Sequence, residues 1–185
     1  AHNILFKQFT LSLGVLANYN TALKGDYKFY PAINASYRIL DNLKVYTSWN
    51  KAMRMPTFTD LYYNTATHTG NANLKHETSE SIELGFKYSN SFMKAGITGY
   101  YMEGKNLIDW IKNNPDEKWQ SINLAKIYKA GVETDVTLFL HEVTSVFTPN
   151  TTIQLSYARL HQNGKDASGE KDSNYILNYL RDKFV

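Results

Sequence analysis

Three glutamates spaced three residues apart, Glu77, Glu80 and Glu83, come closest in this sequence to an acid–base arrangement. Carboxylate catalysis needs two such groups that lie close together and whose pKa values are driven apart. The surrounding segment alternates apolar and polar residues like a β-strand, so Glu77 and Glu83 share one face and Glu80 lies on the other. We therefore interpret all three as solvated or lumen carboxylates and not as catalytic ones.

Other catalytic and metal-binding signatures are missing from the sequence. It has no Cys, and it has neither a nucleophile elbow around a serine nor a glycine-rich loop that would hold a phosphate. The five histidines lack ligand spacing, although His68 and His76 lie in one segment. Asp166, Glu170 and Asp172 are the side chains that a calcium ion would use, but a solvated loop is the preferred interpretation. We predict no enzyme, no cofactor and no metal site.

Four aromatic residues are the candidates for ligand binding: Tyr62, Tyr63, Trp110 and Trp119. They lie in segments expected to be long loops, where flat amphipathic side chains suit a bulky ligand at a wet surface. The alternative is that they only pack the loops or form an interfacial girdle.

Composition excludes several classes of protein. The chain has 185 residues, 43% of them hydrophobic and 14% aromatic, so it should be folded. No apolar run is long enough for a transmembrane helix, whereas a transmembrane strand remains possible because its polar face dilutes hydropathy. The net charge of +3 is interspersed along the chain, so no nucleic-acid partner is predicted.

Period-two alternation predicts an antiparallel meander of about eight long strands. Pro31 would be awkward in a central strand, so a bulge or weak pairing is expected there. The predicted strands cover residues 4–19, 27–39, 43–50, 79–88, 93–102, 128–139, 152–160 and 175 onward.

The connections between these strands alternate in length. Residues 40–42 and 89–91 are tight turns, while 51–77, 103–127 and 161–174 are long loops, which is the pattern of an outer-membrane barrel. Alternation alone does not separate a barrel from a soluble sandwich. Mid-strand polar side chains favour a wet interior; they are Glu83, Lys87, Glu133, Asp135 and Gln154.

Three spaced motifs resemble the barrel of TonB-dependent outer-membrane receptors. They are residues 48–62 (SWNKAMRMPTFTDLY), residues 70–85 (GNANLKHETSESIELG), and residues 122–125 (INLA) followed by 130–133 (AGVE). The resemblance covers most of residues 27–185. His76 departs from the family, which usually has Pro there, so the turn at this position should differ from the family's usual turn.

The motif residues also have physical interpretations, all of them architectural. Pro56 ends strand pairing, and the fork of Arg54 would bind a carboxylate such as Glu77 or Glu83 on a neighbouring strand. Gly70 and Asn71 are expected to supply positive φ angles, and Asn71 and Asn73 to bond their local backbone. Gly131 should allow close approach or a bulge where a strand re-enters the sheet. Gly85 and Glu133 complete the structural motif.

The resemblance implies that residues 1–185 are a single partial β-barrel domain that continues beyond both ends. It would belong to the C-terminal half of a roughly 22-stranded transmembrane barrel with its plug domain absent. Such receptors lie in the cell outer membrane and take up scarce bulky nutrients of the iron-siderophore or cobalamin class. The implied partners are outer-membrane lipid, the rest of the barrel and its plug, the nutrient, and TonB, contacted indirectly through the missing N-terminal region.

The alternative to a receptor is a secreted or periplasmic all-β module that binds glycan or protein. That alternative predicts a dry apolar interior and a polar exterior. An outer-membrane barrel enzyme would need a Ser or Asp converging with His at one rim, which the sequence does not indicate.

Overall fold

The structure, a computed structural model, describes residues 2–19, 21, 27–144, 151–165, 172–173 and 182–184. Most of these residues lie in strands, which confirms the all-β class. The elements in chain order are β1 (His2–Phe6), β2 (Phe9–Tyr19), β3 (Tyr27–Leu40), β4 (Leu43–Arg54), α1 (Phe58–Tyr62), β5 (His68–Thr69), β6 (Glu77–Ser89), β7 (Met93–Lys112), β8 (Trp119–Phe139), a 3-10 helix (Leu140–Glu142), β9 (Thr152–Lys165), β10 (Asp172–Ser173) and β11 (Asp182–Phe184).

The described strands form one sheet in the order β1, β2, β3, β4, β6, β7, β8, β9, β11. Two short strands lie off this path: β10 pairs with β7, and β5 pairs in parallel with β8. All neighbours along the path are antiparallel, so the predicted meander is confirmed.

Short turns and long connections lie at opposite ends of the strands. We call these two ends the short-turn edge and the long-loop edge. Residues 7–8, 41–42 and 90–92 form the short-turn edge, where the backbone N–H of Arg38 donates to the carbonyl of Gln8 at 2.8 Å. Residues 55–76 and 113–118 form the long-loop edge.

The single strand predicted over residues 4–19 is wrong, because the chain reverses at residues 7–8. Phe6 pairs with Phe9 across this turn, and Lys7 has a φ of 48°. Tight hairpin turns usually contain Gly, Asn or Asp, which makes them recognisable in a sequence. Here a lysine takes the left-handed conformation instead. The reversal puts Phe6 on the face of Phe9, so Leu5 lies on the other face.

The long loop predicted over residues 103–127 is also wrong. β7 continues to Lys112 and β8 begins at Trp119, so only residues 113–118 connect them. Both faces of this outer part are covered, which removes the alternation that predicts a strand. The buried side chains there are Ile108, Trp110, Ile111, Leu124 and Ile127.

Pro31 weakens pairing on one side only. The β2–β3 ladder continues through Val15 and Pro31, whereas the β3–β4 ladder begins at Ala32 opposite Asn50. The weak pairing expected at Pro31 is therefore present towards β4. The register shift in β3 lies instead between Arg38 and Leu40.

The register sorts side chains onto two faces. The apolar face carries aliphatic and aromatic side chains that are each between 40% and 64% exposed: Leu13, Val15, Ile33, Ile82, Leu84, Phe86, Ile97, Val132 and Leu155. The polar face carries the mid-strand charges predicted to be wet: Glu83, Lys87, Glu133 and Asp135. The large apolar surface of the sheet is thus exposed and is not packed into a core.

Two glycines of the polar face lie under tyrosine rings. A Cβ on Gly85 would stand 2.5 Å from the Tyr46 ring and 2.8 Å from the carbonyl oxygen of Ile97. A Cβ on Gly131 would collide with the Tyr100 hydroxyl in the same way. Gly131 therefore serves close approach, as expected, but the bulge considered there is absent because the β7–β8 register runs through it.

Candidate functional site

The fork of Arg54 binds Glu77, one of the two carboxylates considered for it. Arg54 Nε donates to Glu77 Oε2 at 2.8 Å, and Nη2 donates to Oε1 at 2.5 Å. Glu83 is out of reach because it pairs with Ser48, six residues before Arg54 on β4 and about 20 Å away along the strand.

Glu77 connects three strands at the long-loop edge. Besides the Arg54 fork from β4, its Oε1 accepts the backbone N–H of Ile108 on β7 at 2.7 Å. Its side chain is only 12% exposed, so the carboxylate depends on these donors in place of water. Glu77 is thus a structural carboxylate bound by Arg54, as its place in the motif suggested, and not a solvated one.

Helix α1 begins four residues after Arg54. The sequence did not predict this helix, because a segment of five residues is too short to show a helical period. Thr57 caps it: Thr57 Oγ1 accepts the Asp60 N–H at 3.1 Å, and Asp60 Oδ2 accepts the Thr57 N–H at 2.9 Å. The signal was a threonine three residues before an acid. Arg54 Nη1 lies 3.5 Å from Asp60 Oδ2, so one guanidinium holds both the strand end and the helix cap.

Gly70 packs against the end of α1. A Cβ at Gly70 would lie 2.9 Å from backbone atoms of Leu61, Tyr62 and Tyr63. Neither Gly70 nor Asn71 has a positive φ, so the expectation of left-handed residues here is wrong. Close backbone approach is the reason for glycine at this position.

The returning half of the loop is held by asparagines. Asn71 Oδ1 accepts the Asn73 N–H at 3.0 Å, so Asn71 bonds the local backbone as expected, with Asn73 as its donor. Asn123 of β8 binds both backbone groups of Lys75: its Oδ1 accepts at 2.8 Å and its Nδ2 donates at 2.9 Å. Its Nδ2 also donates to the carbonyl of Asn106 at 2.6 Å.

Three of the four aromatic candidates meet around His68, a residue considered from the sequence only as a metal ligand. The His68 ring centroid lies 5.9 Å from Tyr63, 5.3 Å from Trp110 and 6.4 Å from Trp119. We call these four residues the aromatic cluster. Trp110 is buried, so it supports the cluster more than it offers a free face. Tyr62 lies apart, 5.0 Å from the Phe58 ring.

Strand pairing explains why these residues meet. β5 pairs with the first residues of β8, so His68 lies opposite Trp119. Trp110 and Trp119 therefore belong to β7 and β8 and not to a loop, contrary to the prediction. Lys112 places its Nζ 5.1 Å from the Trp119 ring centroid, a cation–π contact beside the cluster.

A cleft of about 490 Å³ opens beside Arg54, between α1 and the polar side of the wall. Thr59 and Lys129 bring a hydroxyl and an ammonium group to it. The cleft can therefore contact a ligand that combines acceptor oxygens with an apolar body. Its lining comprises Arg54, Thr57, Thr59, Asp60, Glu77, Met102, Leu107, Ile108, Trp110 and Lys129.

The turn at residues 113–118 carries an acidic group outside the cleft. Hydrogen bonds from the side chains of Asn114 and then Asn113 lower the pKa of Glu117, whose carboxylate accepts from them at 2.8 Å and 3.2 Å. These hydrogen bonds favour the anionic form of Glu117 and connect the two ends of the turn.

Metal candidates are not assembled in the described part of the chain. No group of three His, Asp or Glu side chains there could hold an ion. Of the calcium candidates, Asp172 lies in β10, and Asp166 and Glu170 lie outside the described residues. Among the helices of the described residues, none has the length and hydropathy that crossing a membrane requires.

Known proteins match this chain over most of its length. A vitamin B12 transporter of Vibrio vulnificus is 28% identical over 144 residues, 78% of this chain and 21% of that protein. A vitamin B12 transporter of Photobacterium profundum is 33% identical over 101 residues, 53% of this chain and 16% of that protein. The chain thus spans about a fifth or less of the curated relatives it matches.

The fold and a family model agree with these relatives. The siderophore receptor PirA of Pseudomonas aeruginosa superposes with a TM-score of 0.68 at 23% identity, covering 88% of this chain and 30% of that one. A family model described as TonB dependent receptor-like, beta-barrel, matches residues 3–183. This chain belongs to the TonB-dependent receptor family, and it forms part of the family's β-barrel.

Proposed function

We propose that this chain forms a wall segment of an outer-membrane receptor that takes up a scarce, bulky nutrient. The observation that carries the proposal is the apolar face, whose side chains are 40–64% exposed across neighbouring strands while charges lie on the opposite face. In a membrane, the first face would contact lipid and the second would line a wet lumen. The strands would be part of a roughly 22-stranded plugged barrel.

The dimensions of the apolar face fit a bilayer. From Met93 to Tyr101, β7 rises about 27 Å at about 3.4 Å per residue. A strand tilt of about 40° reduces this to about 21 Å, close to the ~25 Å apolar band of such barrels. Aromatic side chains of the same face bound the band, as interfacial girdles do: Trp49, Tyr101 and Tyr128 lie towards the long-loop edge, and Tyr88 lies towards the short-turn edge.

The nutrient is proposed to be of the cobalamin or iron-siderophore class. The names of the relatives support this class, since two are vitamin B12 transporters and one structural neighbour is a siderophore receptor. Within this chain, the exposed faces of Tyr62, Tyr63 and Trp119 and the cleft beside Arg54 are the proposed contacts. TonB and the plug would act through parts of the protein outside this segment.

The proposal is tested with the full-length gene in its host. Deleting the gene should abolish growth when vitamin B12, or a ferric siderophore, is the limiting nutrient, and collapse of the proton gradient should stop uptake of the labelled nutrient. The intact protein should fractionate with the outer membrane. Normal uptake of every tested chelate by the deletion strain, or a protein recovered in the periplasm, would contradict it.

A secreted or periplasmic binding module is the competing proposal. It requires a dry apolar interior, whereas the large apolar side chains of this sheet are mostly exposed. Recovery of the intact protein as a soluble monomer without detergent would favour the module and oppose the receptor.

A further inference from the structure

The apolar face has a groove at Gly99, in the middle of the sheet. Leu84, Gly99 and Val132 lie side by side on β6, β7 and β8, so the missing side chain leaves a gap between two aliphatic neighbours. A Cβ at Gly99 would find only the Leu84 carbonyl oxygen, at 4.0 Å. The groove has a volume of about 620 Å³, and its outward lining is formed by Ile82, Leu84, Phe86, Ile97, Tyr101 and Val132.

Charged side chains lie farther along the same face, towards the long-loop edge. Lys51 Nζ lies 3.5 Å from Glu80 Oε2. Glu103 Oε1 receives Lys105 Nζ at 3.1 Å and Lys126 Nζ at 2.9 Å. Three ammonium groups thus face two carboxylates, a net charge of +1, and we call these five residues the cationic cluster.

Groove and cluster are spaced like the two parts of a lipid. From Gly99 to Glu103 the strand rises about 13 Å, so the cluster lies just beyond the apolar band. Tyr101 lies between them, and its ring centroid is 6.2 Å from that of Tyr128, which pairs with Glu103. Lys126 Nζ lies 5.1 Å from the Tyr128 ring centroid. An aromatic step between apolar wall and cations is the arrangement of a membrane–water interface.

We propose that the groove at Gly99 and the cationic cluster together bind a phosphorylated, acylated lipid. One acyl chain would fill the groove, and its phosphate would meet the ammonium groups of the cluster. Longer loops of outer-membrane barrels are extracellular, so the lipid belongs to the outer leaflet. The excess of cations over carboxylates selects an anionic lipid over a second copy of the chain, whose matching face would carry the same charge. This inference rests on the proposed membrane function.

The test uses the full-length receptor in phosphatidylcholine nanodiscs doped with lipid A, an acylated disaccharide that carries phosphates. Retained lipid A is counted by native mass spectrometry. Gly99→Leu should reduce retention severalfold because the side chain fills the groove in open space. The double variant Lys105→Gln, Lys126→Gln should reduce it by roughly 30-fold, or about fivefold for each cation near an anionic lipid.

Two variants control for general effects. Ala95→Leu adds a similar side chain to the same face near the short-turn edge. Lys94→Gln removes a cation from the opposite face, where its Nζ lies 5.3 Å from the Phe139 ring centroid. Both should bind lipid A like the wild type. Equal retention by Gly99→Leu and Ala95→Leu would overturn the proposal, as would a dimer that Gly99→Leu dissociates.

Two further arms separate the possible failures. Free inorganic phosphate should not displace lipid A, because it lacks the acyl chain; efficient displacement would overturn the acyl contact. A receptor that enters nanodiscs and retains lipid A no better than phosphatidylcholine refutes only this inference. A protein that does not enter nanodiscs at all refutes the proposed membrane function itself.

Discussion

Replacing Arg54 by Ala should open the segment of residues 55–76 without unfolding the sheet. The variant removes two hydrogen bonds to Glu77 and the ion pair to Asp60, whose side chains are 12% and 11% exposed. Breaking a buried ion pair costs about 3–5 kcal/mol. The Arg54 side chain is itself 47% exposed, so solvent screening reduces this to about 2 kcal/mol.

The loss should be local, because the strand ladders do not depend on Arg54. About 2 kcal/mol corresponds to a roughly 30-fold larger equilibrium constant for opening of the segment, and so to roughly 30-fold faster amide exchange. Hydrogen exchange of the full-length protein in detergent measures this at two amides. These are the N–H of Gly70, bonded to the Tyr63 carbonyl at 2.7 Å, and the N–H of Asn71, bonded to the Asp60 carbonyl at 2.9 Å.

Two comparisons show whether the ion pair is responsible. Arg54→Lys keeps the charge but cannot bind in a fork, so it should fall between wild type and Arg54→Ala. Arg38→Ala removes an exposed arginine from the adjacent strand β3 and should leave both amides unchanged. If Arg54→Ala exchanges within twofold of wild type at Gly70 and Asn71, the guanidinium does not hold the segment and the reasoning is wrong.

Four other substitutions test the packing and the proposed contacts. Gly85→Ala should destabilise the barrel by about 1–3 kcal/mol, because its Cβ would meet the Tyr46 ring at 2.5 Å. Gly99→Ala should be neutral or stabilising, because its Cβ would meet open space. Thermal unfolding in detergent compares the two variants, and equal melting temperatures would count against the argument. Gly70→Ala should speed exchange in residues 55–76, since three backbone atoms lie 2.9 Å from the new Cβ; unchanged exchange would show that the close approach is not required. Trp119→Ala should weaken binding of the transported nutrient by about tenfold, and unchanged affinity would remove Trp119 from the proposed site.

Alternation predicted the wall of this fold well, and it failed where the local physics changed. It located β3, β4, β6 and β9 because one face of each is apolar and the other polar. The hairpin at residues 7–8 was not predicted, because Lys7 takes a positive φ and the turn contains none of the residues that usually signal a tight turn. The halves of β7 and β8 near the long-loop edge were not predicted as strands, because both of their faces are covered and the sequence there does not alternate between apolar and polar residues.

The candidate site was predictable only in part. The pairing of Arg54 with Glu77 follows from a charge at each of two adjacent strand ends, and the sequence contained both. The position of His68 between two tryptophans depends on β5 pairing with β8, a contact between residues about fifty positions apart. Such long-range pairing leaves no local pattern, so Tyr63, Trp110 and Trp119 were candidates without a known neighbour.

Some side chains that line the cleft beside Arg54 also hold the segment of residues 55–76 in place. Ligand binding in the cleft is therefore coupled to closure of this segment. Arg54, Asp60 and Glu77 line the cleft while they also hold α1 to the wall. An anionic ligand group that reached Arg54 would compete with Glu77, which would still keep the Ile108 N–H as a donor. Lys129 is a second cation of the cleft, and no ion pair of the described residues engages it, so it can accept the ligand without that competition. A ligand held by Lys129 would therefore leave the segment closed over it, whereas one held by Arg54 would have to open the segment to bind.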